Sequence, residues 1–283
     1  SVEKIILSLQ TIYDLLTGLE KLGQVMDIEL EQGRGEQTME LPEGTNIHLK
    51  MNDLRLHFAP QKRSVLNGVD LEIAAGEKVC ISGNNGSGKT ALMHVLGSIY
   101  TEFTGILAYD GLPASSLDLE SLRFRIGDNF NQESLFSASL VDNITLGREG
   151  ISQDDLQTAL KVSGLTKVVN TLPNGLFTVM DPANRNLHPR VITRIFLARS
   201  IVHKPSLLLL DDLYDLSELA DFGEIVTHMT SPERDWTLVV ASNDPMVASQ
   251  CERTIYMEEG KVELIGSFED IVREPKVAAA FGI

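Results

Sequence analysis

The chain is poor in cysteine, in positive charge and in long apolar runs, and each shortage excludes something. Its only cysteines, Cys80 and Cys251, are too few and too far apart for a disulfide framework or a zinc site. Cys80 lies in the apolar run Lys78-Val79-Cys80-Ile81, which predicts a buried structural thiol in a reducing, cytosolic setting. Twenty-four Lys and Arg face 40 Asp and Glu, a net charge of −16. That balance argues against a nucleic-acid partner, because polyanion binding needs clustered cations. It leaves a nucleotide open, since a local nest of N–H groups can outweigh a distant field. No apolar run approaches the roughly 18 residues that span a bilayer, and no signal peptide is visible. The chain starts at Ser1 and enters an amphipathic pattern at once, so it reads as a segment of something longer.

What is present is 283 residues of average globular composition, 43% hydrophobic and 23% charged. Residues 1–28 carry apolar positions at Ile5, Leu9, Ile12, Leu16, Leu19, Leu22 and Met26. The three-and-four spacing predicts a helix with one adhesive face that needs a partner. Residues 29–45 are rich in Gly and Glu without periodicity and read as a linker. From Asn46 onward the pattern is α/β. Strands are predicted at Ile47–Phe58, Val65–Ile73, Lys78–Ser82 and near Gly105–Asp110, and a helix from Lys89 to about Ser98. Residues from about 134 to 200 read as mostly helical. Leu207–Leu210 and Thr237–Ala241 read as buried strands, the first a continuous aliphatic run of the parallel-sheet kind.

The strongest local signal is Gly83-Asn84-Asn85-Gly86-Ser87-Gly88-Lys89-Thr90, followed by Ala91. It matches G-x-x-x-x-G-K-[ST] between a predicted strand and a predicted helix. The glycines let the backbone curl so that successive N–H groups face phosphate oxygens. The helix start adds the positive end of its dipole. Lys89 is expected at the β- and γ-phosphates, and the Thr90 hydroxyl at Mg²⁺. At average residue frequencies the pattern arises by chance in roughly one chain of this length in a hundred. Asp211, closing the run Leu207-Leu208-Leu209-Leu210, is the expected second oxygen ligand to Mg²⁺.

These two motifs, about 120 residues apart, resemble the nucleotide-binding domain of ABC exporters, and the resemblance runs over essentially the whole chain. It includes Ser64–Ile73, Tyr109-Asp110-Gly111, Leu135-Phe136-Ser137, Asp142-Asn143-Ile144, Leu172-Pro173-Asn174-Gly175 and Arg194–Ser200. It implies a P-loop NTPase fold of the ATP-binding-cassette type over 46–283, with a mixed-sheet core, an antiparallel β-subdomain and a helical subdomain at about 134–200. It implies that residues 1–28 are the cytosolic end of a last transmembrane helix, with the membrane domain in the same full-length chain. The site then lies at the cytoplasmic face of a membrane. The ligands implied are ATP and Mg²⁺, and the partner is a second cassette, as a homo- or heterodimer, sharing ATP head to tail. Phe58 would stack on adenine, and Asn131 or Gln132 would be the Q-loop residue at the metal.

The sequence departs from that family at the γ-phosphate end. Where the family has Leu-Ser-Gly-Gly-Gln, this chain has Leu187-His188-Pro189-Arg190-Val191, and Pro182 replaces an acidic residue just before it. The residue after Asp211 is Asp212 instead of Glu, one methylene shorter. A carboxylate displaced by about 1 Å can cost on the order of a hundredfold in rate. Asn243 stands where a histidine is expected; it can hydrogen-bond a γ-phosphate oxygen but carries no charge. With Lys89, Thr90 and Asp211 intact, the expectation is a cassette that binds Mg-ATP to drive or regulate dimerisation and hydrolyses it slowly or not at all. The alternative is an ordinary transport ATPase in which Asp212 and Asn243 suffice.

Overall fold

The structure, a computed structural model, describes residues 2–27, 35–39, 45–58, 63–130, 135–180, 188–211, 213–217 and 219–283. It divides into two units, 1–34 and 35–283. Among its described residues the first holds one helix, α1 (Val2–Met26). Its apolar residues Ile12, Leu15, Leu16, Leu19, Leu22 and Met26 are all more than half exposed. No helix among the described residues is long and apolar enough to cross a membrane.

The second unit starts inside the segment expected to be a linker. Met39 is buried in the core and its N–H donates to Ser121 Oγ, while Gln37 bridges Leu117. Strands β1 (Leu49–Phe58) and β2 (Arg63–Ile73) follow, then β3 (Lys78–Ser82), which runs into the glycine-rich loop. Helix α2 (Lys89–Leu96) leaves that loop. It stops short of the predicted Ser98, which has φ +56°, outside helical space. Next come β4 (Thr104–Tyr109), β5 (Leu112–Pro113), α3 (Leu119–Phe124) and β6 (Ile126–Asp128).

The stretch expected to be helical contains α4 (Leu140–Thr145), α5 (Gln153–Val162), α6 (Leu165–Val169) and α7 (Pro189–Val202). It also holds a two-residue ribbon, β7 (Ala138–Ser139) with β8 (Val179–Met180), too short to carry a period. A capping box of Ser152 and Asp155 starts α5, and Pro189 at the first position starts α7. The chain closes with β9 (Leu207–Asp211), α8 (Tyr214–Ser217), α9 (Phe222–Thr230), β10 (Thr237–Ala241), α10 (Pro245–Gln250), β11 (Arg253–Glu258), β12 (Lys261–Gly266), α11 (Phe268–Ile271) and α12 (Pro275–Ala280).

Two main sheets organise this unit. An antiparallel sheet has the order β2-β1-β4-β5, and a six-stranded sheet the order β12-β11-β3-β10-β9-β6. In the latter, β11, β3, β10, β9 and β6 pair in parallel and only β12 is antiparallel. Its centre is buried on both faces, which is why β9 and β10 read as unbroken apolar runs. Successive side chains feed different cores. Leu208, Leu210, Leu238 and Val240 pack with the helices α4–α7 and α9, whereas Leu207, Leu209, Val239 and Ala241 pack with α2 and the antiparallel sheet. Both cysteines are buried and unpaired by disulfide; a hydrogen bond with Cys251, together with burial, pushes the Cys80 thiol well above its ordinary value.

Candidate functional site

Three adjacent parallel strands, β9, β10 and β3, end at the same edge, where open α/β sheets bind ligands. Val240 faces Cys80 and Ala241 faces both Ile81 and Asp211. The register therefore gathers Gly83, Asp211 and Asn243 from distant parts of the chain.

The loop between β3 and α2 is held open as a cradle. Gly83, Gly86 and Gly88 have φ of 148°, 81° and 103°, values that disfavour any side chain. A Cβ on Gly83 would run into the Met257 carbonyl, and one on Gly88 would lie 3.0 Å from the Val65 carbonyl. Within the loop Ser87 N–H donates to Asn84 O at 3.1 Å, and Gly260 N–H donates to Ser87 O at 3.0 Å. Lys89 Nζ donates to Gly83 O at 2.6 Å and to Asn84 O at 3.2 Å. Burial pushes its ammonium below the ordinary lysine value, while the Asp211 carboxylate pulls the other way.

Asp211 sits half-buried at the end of β9 with its main chain fixed by Asn129. Asp211 N–H donates to Asn129 Oδ1 at 2.7 Å, and Asn129 Nδ2 donates to Asp211 O at 2.8 Å. Sequence reasoning passed over Asn129, since an asparagine after a short strand carries no signal of its own. Asn243 engages Gly83 in the same manner, through Gly83 N–H to Oδ1 and Nδ2 to Gly83 O, both at 3.0 Å.

Phe58, 41% exposed at the end of β1, meets the edge of Tyr100 with centroids 5.1 Å apart. Tyr100 in turn meets His94 of α2 at 5.0 Å. A cleft of about 1430 Å³ runs from these rings, past Val65 and the loop from Asn85 to Ala91, to Asp211 and Asn243. The remaining candidates divide. Asn131, Gln132, Asp212, Pro182 and Leu187 lie outside the described residues. His188 caps α7, its Nδ1 accepting from Arg190 N–H at 3.3 Å.

The cradle suits the phosphates of a nucleotide. The Ser87 hydroxyl is buried inside it without a hydrogen-bond partner, a polar atom that an anion's shell can satisfy. Thr90 and Asp211 offer hard oxygen donors of the kind Mg²⁺ takes. Among the described residues no group of three or more His, Cys, Asp or Glu could hold a metal alone. This fits an ion that uses one or two protein ligands and takes the rest from phosphate and water.

The fold and the loop together define a P-loop nucleotide-binding domain with an ABC-type arrangement of sheets. A family profile described as "ABC transporter" matches residues 66–214, just over half of the chain. The chain belongs to the ABC transporter family. Over 256 residues it is 26% identical to the alpha-hemolysin translocation ATP-binding protein HlyB of Escherichia coli, covering 90% of this chain and 36% of that protein. Identity to the cyclolysin secretion/processing ATP-binding protein CyaB of Bordetella pertussis is 25%, covering 90% and 35%. The multidrug resistance protein pgp-1 of Caenorhabditis elegans is 26% identical over 222 residues, covering 77% of this chain and 17% of that protein. The chain thus spans about a third of the length of the first of these relatives. A solved structure of a bacterial Atm1-family ABC exporter with ATP bound superposes with a TM-score of 0.81 at 22% identity, covering 96% of this chain and 48% of that one, and bears out the fold.

Proposed function

We propose that this chain is the ATP-binding part of an ABC exporter, that it binds Mg-ATP at the loop 83–91, and that it turns ATP over slowly or not at all. The observation that carries the reading is the contrast between the two ends of the cleft. At the loop, the positive-φ glycines, the buried Ser87 hydroxyl and Lys89 form a complete phosphate cradle. At the far end, the side chain of Asn243 is spent on the loop's own backbone.

Main-chain N–H groups and Lys89 would grip the phosphates, Lys89 exchanging the carbonyls of Gly83 and Asn84 for phosphate oxygens. The edge-to-face contact with Tyr100 holds the Phe58 ring at the mouth of the cleft, where adenine can stack on it. Thr90 and Asp211 would hold Mg²⁺, which offsets phosphate charge when bound. Asn129 positions Asp211 for that task. Asp212, next in sequence to Asp211, would be the carboxylate that orients a water, and it is shorter than the family's glutamate. The remaining partners follow from the family: a second cassette across the phosphates, with His188 and Arg190 at the start of α7 in place of serine and glycine amides, and a membrane domain that places this chain at the cytoplasmic face. Helix α1, with its uncovered apolar stripe, would join the chain to that domain.

The test uses the full chain. Saturating Mg-ATP at about 100 times Kd should stabilise it by roughly 2.7 kcal/mol, or about 5 °C or more in Tm. Lys89→Ala should abolish the shift. Turnover is expected about a hundredfold or more below 1 s⁻¹. Turnover at ordinary rates, lost in Asp212→Asn, would establish the alternative of a working ATPase. Absence of any ATP-induced shift in the wild type would end the binding reading.

A further inference from the structure

The parallel ladder between β10 and β3 continues past the strands. Ser242 N–H donates to Ile81 O at 3.0 Å, the next step after Ala241 opposite Ile81. Beyond that step a side chain takes over from the backbone. Asn243 accepts from Gly83 N–H and donates to Gly83 O, both at 3.0 Å. The carboxamide behaves as an added strand residue, with donor and acceptor side by side on one edge. Its orientation follows from chemistry, since only the oxygen can accept from an N–H and only the amino group can donate to a carbonyl. An imidazole cannot copy this grip. Its two nitrogens diverge around the ring, so a donor and an acceptor cannot both aim at one residue.

Gly83 is the point where this grip matters. Its carbonyl also receives Lys89 Nζ at 2.6 Å, and its Cα is packed against the Met257 carbonyl. The other end of the loop is tied by Gly260 N–H to Ser87 O at 3.0 Å. The cradle is therefore pinned at both ends, and Asn243 supplies the pin at the first. The donor–acceptor edge of the amide is thus engaged on Gly83.

We infer that Asn243 is a positioning residue for the phosphate loop and makes no contact with a terminal phosphate, so that its contribution to affinity is the same for a nucleoside diphosphate as for a triphosphate. This rests on the nucleotide-binding reading above. It separates the role of Asn243 here from the γ-phosphate contact that its position in the sequence suggests.

The test is carried out on the full chain by calorimetric titration with Mg-ATP and Mg-ADP, and by hydrogen exchange of the nucleotide-free protein over residues 81–85. Asn243→Ala should weaken both nucleotides by about tenfold, leaving the ATP-to-ADP ratio within about twofold of wild type, and should speed exchange at Gly83. Asn243→His, which restores the family's residue, should behave like the alanine variant. A loss of about fivefold or more for ATP with ADP unchanged would overturn the inference, because the side chain would then be touching the γ-phosphate. Unaltered exchange at Gly83 would equally overturn it. If Asn243→Ala does not fold, Asn243→Asp keeps the shape and the acceptor but loses the donor, and exchange should still quicken. Wild-type protein that binds neither nucleotide would defeat the binding reading instead, and the exchange result would still decide whether the grip on Gly83 exists.

Discussion

At the scale of single residues, asparagine does much of the positioning in this fold. Asn129 grips Asp211, Asn243 grips Gly83, and the fully buried Asn143 grips Phe136, accepting from its N–H at 2.8 Å and donating to its carbonyl at 3.0 Å. Each replaces a missing ladder bond where a strand or turn has run out, and each buried polar group is thereby satisfied. His203 carries a pH consequence. It caps α7, its Nε2 lies 3.3 Å from Ile126 O, and burial, helped by the charge of Arg148, lowers its pKa to about 4. The unfolded chain takes up this proton near 6.5, before the folded one does. Its contribution is therefore fully present above pH 6.5 and is lost as pH falls toward 4, by up to roughly 3 kcal/mol. Urea unfolding at pH 7.5 and pH 5 should show this loss in the wild type and a shallower one in His203→Gln.

At the scale of elements, β6 and α7 meet at close quarters. Gly127 of β6 lies so close to α7 that a Cβ would collide with the Ser200 carbonyl and press on Pro205. Neither neighbour can give way easily, since one is helix backbone and the other a ring. Gly127→Ala should destabilise by about 1–3 kcal/mol, seen as a lower urea midpoint at unchanged slope. It should also weaken Mg-ATP binding, because β6 leads into Asn129 and thence to Asp211. The elements themselves were largely legible. The apolar runs of β9 and β10 and the strand–loop–helix around Lys89 all fall near their predicted places. The β7–β8 ribbon and the packing of Met39 did not, since two residues carry no period and a lone methionine in a Gly- and Glu-rich stretch does not announce what it will touch.

At the scale of the whole molecule, net charge opposes association. Each chain carries −16, so under the proposed function two copies that share ATP would first have to overcome their mutual repulsion. Sedimentation with Mg-ATP should accordingly show more dimer at about 0.15–0.5 M salt than at about 0.01 M, as the Debye length contracts from roughly 30 Å to below 10 Å. A dimer that weakens with salt would mean that local complementary charges, not the net field, govern the contact.

The sequence alone determined the glycine-rich loop, the aspartate that closes β9 and the α/β character, because each is written in consecutive residues whose chemistry is local: glycines that permit positive φ, a lysine and threonine at fixed offsets, an aliphatic run closed by an acid. What only the tertiary structure decided is where the polar side chains spend their hydrogen bonds. Asn129 and Asp211 are 82 residues apart and Asn243 and Gly83 are 160 apart, and only the register of β6, β9, β10 and β3 brings each pair within reach. An asparagine in sequence is a donor and an acceptor without an address, and the sheet supplies the address.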